Sequence, residues 1–358
     1  MTARSVSLGG LELESGVRLD AVTLVYETWG TLAPGRDNAI LLLHALTGDA
    51  HATSDGVPGV ERGWWEDLVG PGRAVDTRRW FVVCANVLGG CQGSTGPSST
   101  DPATGRPYGL SFPLVSIRDM ARAQALLLDH LGIPRLAGAL GGSMGGMQAL
   151  AWLGLFPRRL DSVAVLATAA SHSPQQIAFQ EVGRQAVMAD PAWAGGAYTA
   201  APARGLALAR MIGHITYMSG PGMAEKFGRQ RRGHGAAATF GQDFAVEGYL
   251  RHRGDSFVRR FDANSYLYIT KAVDDFDAFD PLWAAPTPGP RVLVASFKSD
   301  WLYPAQQGRE IATACRRAGL ATSFTEIDSR WGHDAFLLET ERLGALLKVF
   351  LERPGVVG

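Results

Sequence analysis

Short, continuous runs of branched apolar residues recur along this chain, and each run is bounded by Gly, Pro or polar residues. Runs that are apolar at every position are typical of parallel strands that are buried on both faces. Strands are therefore predicted at residues 39–43, 80–85, 136–140, 163–167 and 292–296, and residues 323–327 are a further candidate strand. Before residue 27 the apolar positions alternate with polar ones, which predicts antiparallel edge strands.

Helical periodicity separates these predicted strands. Ser116 and Asp119 form a capping-box pattern, and apolar residues follow at helical spacing to residue 131 with Gln124 as the one polar break. Further helical patterns cover residues 147–155 and 342–351. Strands that alternate with helices predict an α/β fold built on a doubly wound, mostly parallel sheet.

The alternation is interrupted once, between residues 168 and 291. That stretch is about four times the roughly 30 residues that a βαβ unit needs. Helical patterns fill it, at residues 175–188, 204–217, 242–251 and 265–275. We therefore predict a catalytic domain formed by residues 1–170 and 291–358. Residues 171–290 are predicted to form a helical lid over the carboxyl ends of the strands, where open α/β sheets bind ligands.

Composition narrows the functional class. The 358 residues contain 34 Lys and Arg and 34 Asp and Glu, so the formal net charge is zero. The chain lacks the basic excess that would indicate binding to nucleic acid or to an acidic membrane surface. Three cysteines without metal-ligand spacing argue against a disulfide framework and a metal site. The first ten residues lack the apolar segment of a signal peptide, and no apolar run approaches a membrane span. We expect a cytoplasmic protein that acts on a small molecule.

The hexapeptide GGSMGG at residues 141–146 lies between a predicted strand and a predicted helix. It is the G-x-S-x-G signature in the strand–turn–helix context that the signature requires. A serine on so tight a turn exposes its hydroxyl, and the flanking glycines leave room where strand and helix pack closely. The alternative is a glycine-rich turn without chemistry. The context favours Ser143 as a nucleophile that forms a covalent acyl-serine intermediate.

A serine nucleophile needs a base, and in this fold class an acid and then a histidine follow the serine along the chain. His333 follows both Ser143 and the insertion, in a late loop, and is predicted as the base. Four other histidines fall in the predicted lid and are not favoured as the base: His172, His214, His234 and His252.

Two carboxylates compete for the role of orienting His333. Asp300 lies in the loop after the strand at residues 292–296, where an acid can accept a hydrogen bond from the imidazole and select its tautomer. Asp328 is only five residues before His333 and belongs to the preceding strand. Triad order and loop position favour Asp300.

The oxyanion hole is predicted to contain two backbone N–H groups. One belongs to Met144, the residue after the nucleophile, and the other to a residue in the loop after the strand at 39–43. Leu46 is the candidate for the second donor. His44, in the same loop, is predicted to be structural and hydrogen-bonded within the turn.

Five segments are longer and more specific than G-x-S-x-G. They are LHALTGD at 43–49, ANVLGGCQGSTGP at 85–97, GGSMGGMQAL at 141–150, FDANSYLY at 261–268 and SDWLYP at 299–304. Together they resemble the homoserine O-acetyltransferases, a family of the α/β-hydrolase superfamily. The resemblance extends from about residue 30 to about residue 351.

The resemblance implies a function and further site residues. The expected reaction is acyl transfer from acetyl-CoA to the side-chain hydroxyl of L-homoserine, in methionine synthesis, by a homodimer built through the lid. Acetyl-CoA is then a substrate, and no permanently bound cofactor is implied. The family's substrate-binding Arg and Tyr, seven residues apart, match Arg210 and Tyr217, and its acidic residue after the catalytic histidine matches Asp334.

The motifs leave alternatives open. Succinyl-CoA-dependent homoserine acyltransferases and serine O-acyltransferases share the same segments, so neither the donor nor the acceptor follows from them. A serine esterase of this fold needs the same triad. A non-catalytic binding protein of the same fold is disfavoured, because Ser, Asp and His are all present in the expected order.

Overall fold

The computed structural model describes residues 3–232, 240–279 and 289–352. Within these residues the strands are β1 (Arg4–Ser7), β2 (Leu11–Glu12), β3 (Arg18–Leu19), β4 (Thr23–Trp29), β5 (Ala39–Leu43), β6 (Phe81–Ala85), β7 (Gly138–Gly142), β8 (Ser162–Leu166), β9 (Arg291–Phe297) and β10 (Thr322–Ile327). The α-helices of the same residues are α1 (Ile117–His130), α2 (Met144–Leu155), α3 (Pro174–Met188), α4 (Ala203–Tyr217), α5 (Gly220–Phe227), α6 (Ala245–Val258), α7 (Ala263–Asp275), α8 (Ala305–Arg317), α9 (Ala335–Leu338) and α10 (Thr340–Glu352).

One large sheet forms the centre of the molecule. Its strand order is β1-β4-β6-β5-β7-β8-β9-β10, and β2 pairs with β3 in a separate hairpin. The run from β6 to β10 is parallel, whereas β4 is antiparallel to both β1 and β6. The predicted mostly parallel α/β sheet with antiparallel strands at its N-terminal edge is confirmed.

The strand that leads to Ser143 is displaced by two residues from its predicted position at 136–140. Leu136 makes only an isolated bridge to Leu160, whereas Gly141 and Gly142 continue the ladder beside Leu43 and Leu166. Glycines end a hydrophobic run in the sequence but keep their backbone hydrogen-bonding groups. The apolar pattern therefore stops before the strand does.

The polar break in α1 has a structural explanation. Gln124 is buried, and its side-chain amide donates to the Gln148 oxygen of α2 at 2.7 Å. Trp152 donates its indole N–H to Gln124 at 2.8 Å, and Gln148 donates to the carbonyl of His44 at 3.1 Å. This chain of buried amides ties α1 and α2 to the loop after β5. Ser116 and Asp119 form the predicted capping box at the start of α1.

The long insertion between β8 and β9 contains α3 to α7. Helix α4 packs against both α3 and α6, and buries Leu206 and Ala209. The helix predicted at residues 242–251 starts later and runs farther, as α6, and α5 was not predicted at all because its eight residues include two glycines and a proline. The division into a catalytic domain and a dimerisation lid stays a prediction. In the described part of the chain, no helix combines the length and apolarity needed to cross a membrane.

Candidate active site

Ser143 lies at the turn between β7 and α2, in a backbone conformation that is rare for a residue with a side chain. Its φ is 58° and its ψ is −126°. The turn is held by the Ser143 N–H, which donates to the Leu166 carbonyl at 3.0 Å, and by the Thr168 hydroxyl, which donates to the Ser143 carbonyl at 2.7 Å. Strained residues of this kind persist only where their surroundings hold them. The Ser143 side chain does not cap α2, so its hydroxyl remains available for chemistry.

The glycines of the elbow are required by close packing. A Cβ atom on Gly145 would lie 2.0 Å from the carbonyl oxygen of Leu43, and one on Gly141 would lie 2.2 Å from the carbonyl oxygen of Gly145. Both distances are far below van der Waals contact with backbone atoms that cannot rotate away. The predicted reason for these glycines, the close approach of strand and helix, is confirmed.

His333 and Asp300 form a buried pair. The His333 Nδ1 atom lies 2.8 Å from Asp300 Oδ2, and both residues are 3% exposed. The other carboxylate oxygen of Asp300 accepts the backbone N–H groups of Leu302 and Tyr303, at 3.0 and 2.8 Å. Asp328 is exposed, and its backbone carbonyl, not its carboxylate, accepts a bond from Arg342. The acid that contacts the histidine is therefore Asp300.

Ser143 and His333 line one cavity of about 370 Å³ together with residues of the insertion. The predicted substrate-binding residues also line it: Arg210 and Tyr217 come from the insertion, and Asp334 follows His333 in the chain. The rings of Tyr217 and His333 are 5.9 Å apart. The structure thus gathers the predicted nucleophile, base and acceptor-binding residues into one space, and their roles stay predictions.

The loop after β5 forms another wall of this cavity. Leu46 lines it, and Met144 is the first residue of α2, directly after Ser143. His44 is buried: its Nε2 accepts the N–H of Val87 at 3.1 Å, so its Nδ1 carries the proton and donates to the Ala45 carbonyl at 2.8 Å. Burial lowers the pKa of His44 and favours this neutral form. The prediction that His44 is structural is confirmed, whereas the oxyanion donors of Leu46 and Met144 stay predictions.

The cavity offers both signs of charge. Arg210 donates to the Thr47 hydroxyl at 3.1 Å, and its guanidinium lies 4.8 Å from the Phe257 ring centre. Burial raises the pKa of Asp334, although His333 and Arg210 oppose that rise. Carboxylate and guanidinium face one space, and this arrangement suits a ligand that carries both an ammonium and a carboxylate.

Tyr303 is a residue that sequence reasoning missed. Its ring stacks on His333 with centres 4.9 Å apart, and its backbone N–H binds Asp300. Burial raises the pKa of its phenol strongly, and the Ser143 side chain nearby opposes that rise. Tyr303 thus contacts His333 and Asp300 and lies near Ser143. The SDWLYP segment contains it, but nothing in that segment alone distinguishes it from a packing residue.

Behind Tyr303 lies a second buried polar chain. The Tyr303 hydroxyl is 2.6 Å from His172 Nε2, and His172 Nδ1 is 2.8 Å from Asp274. Arg184 donates to the other Asp274 oxygen at 2.6 Å. His172 is therefore a core histidine with both ring nitrogens paired. His252 is exposed, and His234 lies outside the described residues.

The described residues lack the arrangements that metal ions and disulfides require. Nowhere among them do three or more His, Cys, Asp or Glu side chains gather where they could hold a metal ion. The three cysteines, all in described segments, are free thiols, and burial raises the pKa of Cys91 to about 11.

Comparison with known proteins points to one family. The α/β-hydrolase fold family matches residues 38–340. A homoserine O-acetyltransferase from Solidesulfovibrio magneticus is 52% identical over 354 residues, which cover 96% of this chain and 89% of that protein. The crystal structure of homoserine O-acetyltransferase from Bacillus anthracis superimposes with a TM-score of 0.90 at 27% identity, covering 99% of this chain and 98% of that one. The crystal structure of esterase E22 gives a TM-score of 0.88 at 25% identity, covering 98% and 100%.

Proposed function

The chain belongs to the homoserine O-acetyltransferase family of the α/β-hydrolase fold, and from that premise we propose that it transfers an acetyl group from acetyl-CoA to the side-chain hydroxyl of L-homoserine. One observation carries the proposal. Ser143 and His333 share a cavity with Arg210 and Asp334, so a nucleophile and its base face charges that match an amino-acid zwitterion.

The first half-reaction acetylates the enzyme. Ser143 Oγ attacks the thioester carbonyl while His333 takes the hydroxyl proton. The tetrahedral oxyanion is stabilised by the backbone N–H groups of Leu46 and Met144. The C–S bond then breaks, His333 returns its proton to the sulfur, and CoA leaves acetyl-Ser143 behind. Asp300 binds Nδ1 of the imidazole and so leaves Nε2 to exchange the proton with the serine.

The second half-reaction transfers the acetyl group to homoserine. His333 removes the proton of the side-chain hydroxyl, and the oxygen attacks the acetyl carbonyl. Collapse of the intermediate breaks the bond to Ser143, which recovers its proton from His333. The product is an ester of homoserine, and the two substrates bind in turn, as in any ping-pong reaction. This reaction would serve methionine synthesis.

Arg210, Tyr217 and Asp334 are proposed to hold the acceptor. A guanidinium can bind a carboxylate through two parallel hydrogen bonds, which sets orientation as well as charge. Asp334 adjoins His333 in the chain, so an ammonium bound there brings the substrate hydroxyl close to the base. Tyr217, two turns along α4 from Arg210, can add a hydrogen bond.

Two further features belong to this proposal. The helices of the insertion carry exposed apolar side chains and would build a homodimer, as discussed below. The free cysteines agree with a reducing compartment, and we place the enzyme in the cytoplasm.

A serine esterase is the second candidate, and the similarity to esterase E22 favours it. An esterase would use the same triad but would let water remove the acyl group. Arg210 and Asp334 argue for a charged acceptor instead, because water needs neither of them.

A steady-state assay separates these reactions. CoA release from acetyl-CoA is measured with and without L-homoserine, and then with succinyl-CoA or L-serine as the alternative substrate. We expect release that depends on both acetyl-CoA and homoserine. CoA release at the same rate without homoserine would support the esterase. Release that depends on succinyl-CoA or on serine would mean that the donor or the acceptor is a different one.

A further inference from the structure

One face of α4 borders the catalytic cavity. Arg210, His214 and Tyr217 are separated by four and three residues, so they lie on the same side of the helix. All three line the cavity with Ser143. Arg210 and Tyr217 have proposed roles in binding the acceptor, whereas His214 between them has none.

His214 is buried with one ring nitrogen unpaired. It is 6% exposed, and its Nδ1 lies 3.1 Å from the Tyr249 hydroxyl. Its Nε2 is buried and has no hydrogen-bond partner among the residues that the structure describes. Buried polar atoms are nearly always paired in folded proteins, so an unpaired one beside a ligand cavity calls for a partner.

The neighbours of His214 determine which nitrogen carries the proton. The Arg253 guanidinium lies 5.3 Å from the Tyr249 ring centre, and its charge opposes the rise that burial causes in the pKa of the Tyr249 phenol. Because this positive charge attracts the lone pairs of the phenol oxygen, the hydroxyl can direct its own proton to His214 Nδ1. The remaining proton of the imidazole is then on Nε2. Burial, followed by the charges of Arg210, Arg253 and Lys226, lowers the pKa of His214 to about 3, so the ring is neutral at physiological pH.

The chemistry of the missing partner follows from this state. A neutral Nε2–H needs an acceptor atom. Arg210, Arg253 and Lys226 all influence the ring and all line the cavity, so their positive field favours an anionic oxygen and disfavours an ammonium. A carboxylate or a phosphate meets both requirements.

We propose that the Nε2–H of His214 donates a hydrogen bond to the carboxylate of the acceptor amino acid, beside Arg210. The inference rests on the proposed function, which places that carboxylate on Arg210, one helical turn away on α4. His214 then helps the enzyme to select an α-amino acid over a simple amino alcohol. An anionic group of the acyl donor is the other possible acceptor of this hydrogen bond. The experiment distinguishes the acceptor's carboxylate from the donor's anion.

The test compares two acceptors that differ only in the carboxylate, L-homoserine and 3-aminopropan-1-ol. In wild type, kcat/KM should strongly favour homoserine. His214→Phe should lower kcat/KM for homoserine by about 10- to 100-fold, the effect of losing a hydrogen bond to a charged group. It should change kcat/KM for 3-aminopropan-1-ol by less than about threefold, so the preference falls. Single-turnover acetylation of Ser143 by acetyl-CoA should stay within about twofold of wild type.

Two further variants serve as controls. His214→Gln keeps a donor N–H near the position of Nε2 and should restore most of the preference, even if His214→Phe folds poorly. His252→Phe makes the same substitution at an exposed position on α6 and should leave the preference unchanged.

Three outcomes would overturn the inference. They are an unchanged preference in both His214 variants, an equal loss for the two acceptors, and a loss in the acetylation step, which would assign His214 to the donor. Failure of the proposed function would look different, because wild type itself would then transfer no acetyl group to homoserine.

Discussion

At the scale of single residues, Tyr303 explains how the triad is held together. Asp274 faces His172 Nδ1, so that nitrogen carries the proton and Nε2 is left to accept one. The Tyr303 hydroxyl, 2.6 Å from Nε2, therefore donates to His172. Its oxygen keeps a lone pair, and the Ser143 side chain is close enough to influence the pKa of the phenol. We therefore expect Tyr303 to be a positioning residue that accepts a hydrogen bond from the Ser143 hydroxyl without competing for the base.

The Tyr303→Phe variant tests this role. Without the hydroxyl, Ser143 loses an orienting partner, and acetylation by acetyl-CoA should slow by about tenfold while the KM for homoserine changes little. Single-turnover rates and steady-state constants measure the two effects. Tyr268→Phe serves as the control. It removes another buried hydroxyl, which donates to the Phe112 carbonyl at 2.5 Å and does not line the cavity. Equal slowing in both variants would reduce Tyr303 to a packing residue.

The orienting acid gives a second residue-scale prediction. Asp300→Asn should lower kcat by up to about four orders of magnitude, since loss of the orienting carboxylate disfavours the productive tautomer of His333. Asp328→Asn changes an exposed carboxylate five residues before His333 and should have little effect. The kcat values of the two purified variants decide the matter. Similar, mild losses would mean that another group orients the base.

At the scale of elements, the elbow depends on a strand and a helix that approach more closely than side chains permit. Gly145→Ala should destabilise the protein by about 3 kcal/mol, because the new methyl group must displace the Leu43 carbonyl. Gly220→Ala adds the same methyl group where nothing lies within 4 Å, and should change the free energy of unfolding by less than about 1 kcal/mol. Thermal or denaturant unfolding of both variants provides the comparison, and equal stabilities would contradict the packing argument.

The elements also reveal which features a sequence pattern can predict. Strands β5 to β9 were predicted because buried parallel strands are mainly apolar, and Ser143 was predicted because its signature depends on local chain geometry. Helix α5 was missed, since a short helix rich in Gly and Pro lacks the periodic apolar stripe. The pairing of His172 with Tyr303 and Asp274 joins residues more than 100 positions apart, and no local pattern encodes such contacts.

At the scale of the whole molecule, the insertion has two faces of different character. One face of α4 lines the catalytic cavity with Arg210 and Tyr217. Leu208 and Ile215, seven residues apart on the opposite face, are 50% and 42% exposed, and Val182 of α3 is 55% exposed. Exposed apolar side chains on packed helices are typical of protein interfaces. This pattern supports the proposed homodimer built through the lid.

Charged substitutions test that interface. The double variant Leu208→Asp and Ile215→Asp should dissociate the dimer into monomers, because carboxylates would be buried at the contact without partners. Leu114→Asp changes an equally exposed apolar residue outside the insertion, 59% exposed, and should leave the dimer intact. Sedimentation velocity gives both masses. A dimer that survives the double substitution would place the interface elsewhere.

The account as a whole depends on one covalent intermediate, acetyl-Ser143. The most direct test mixes the enzyme with acetyl-CoA alone and follows the intact mass. Wild type should gain one acetyl group, located on the peptide that contains Ser143, and should lose it on addition of L-homoserine as the homoserine ester appears. Ser143→Ala should gain none. An unmodified wild-type enzyme that nevertheless acetylates homoserine, with initial-rate lines that intersect rather than run parallel, would contradict the acyl-serine mechanism.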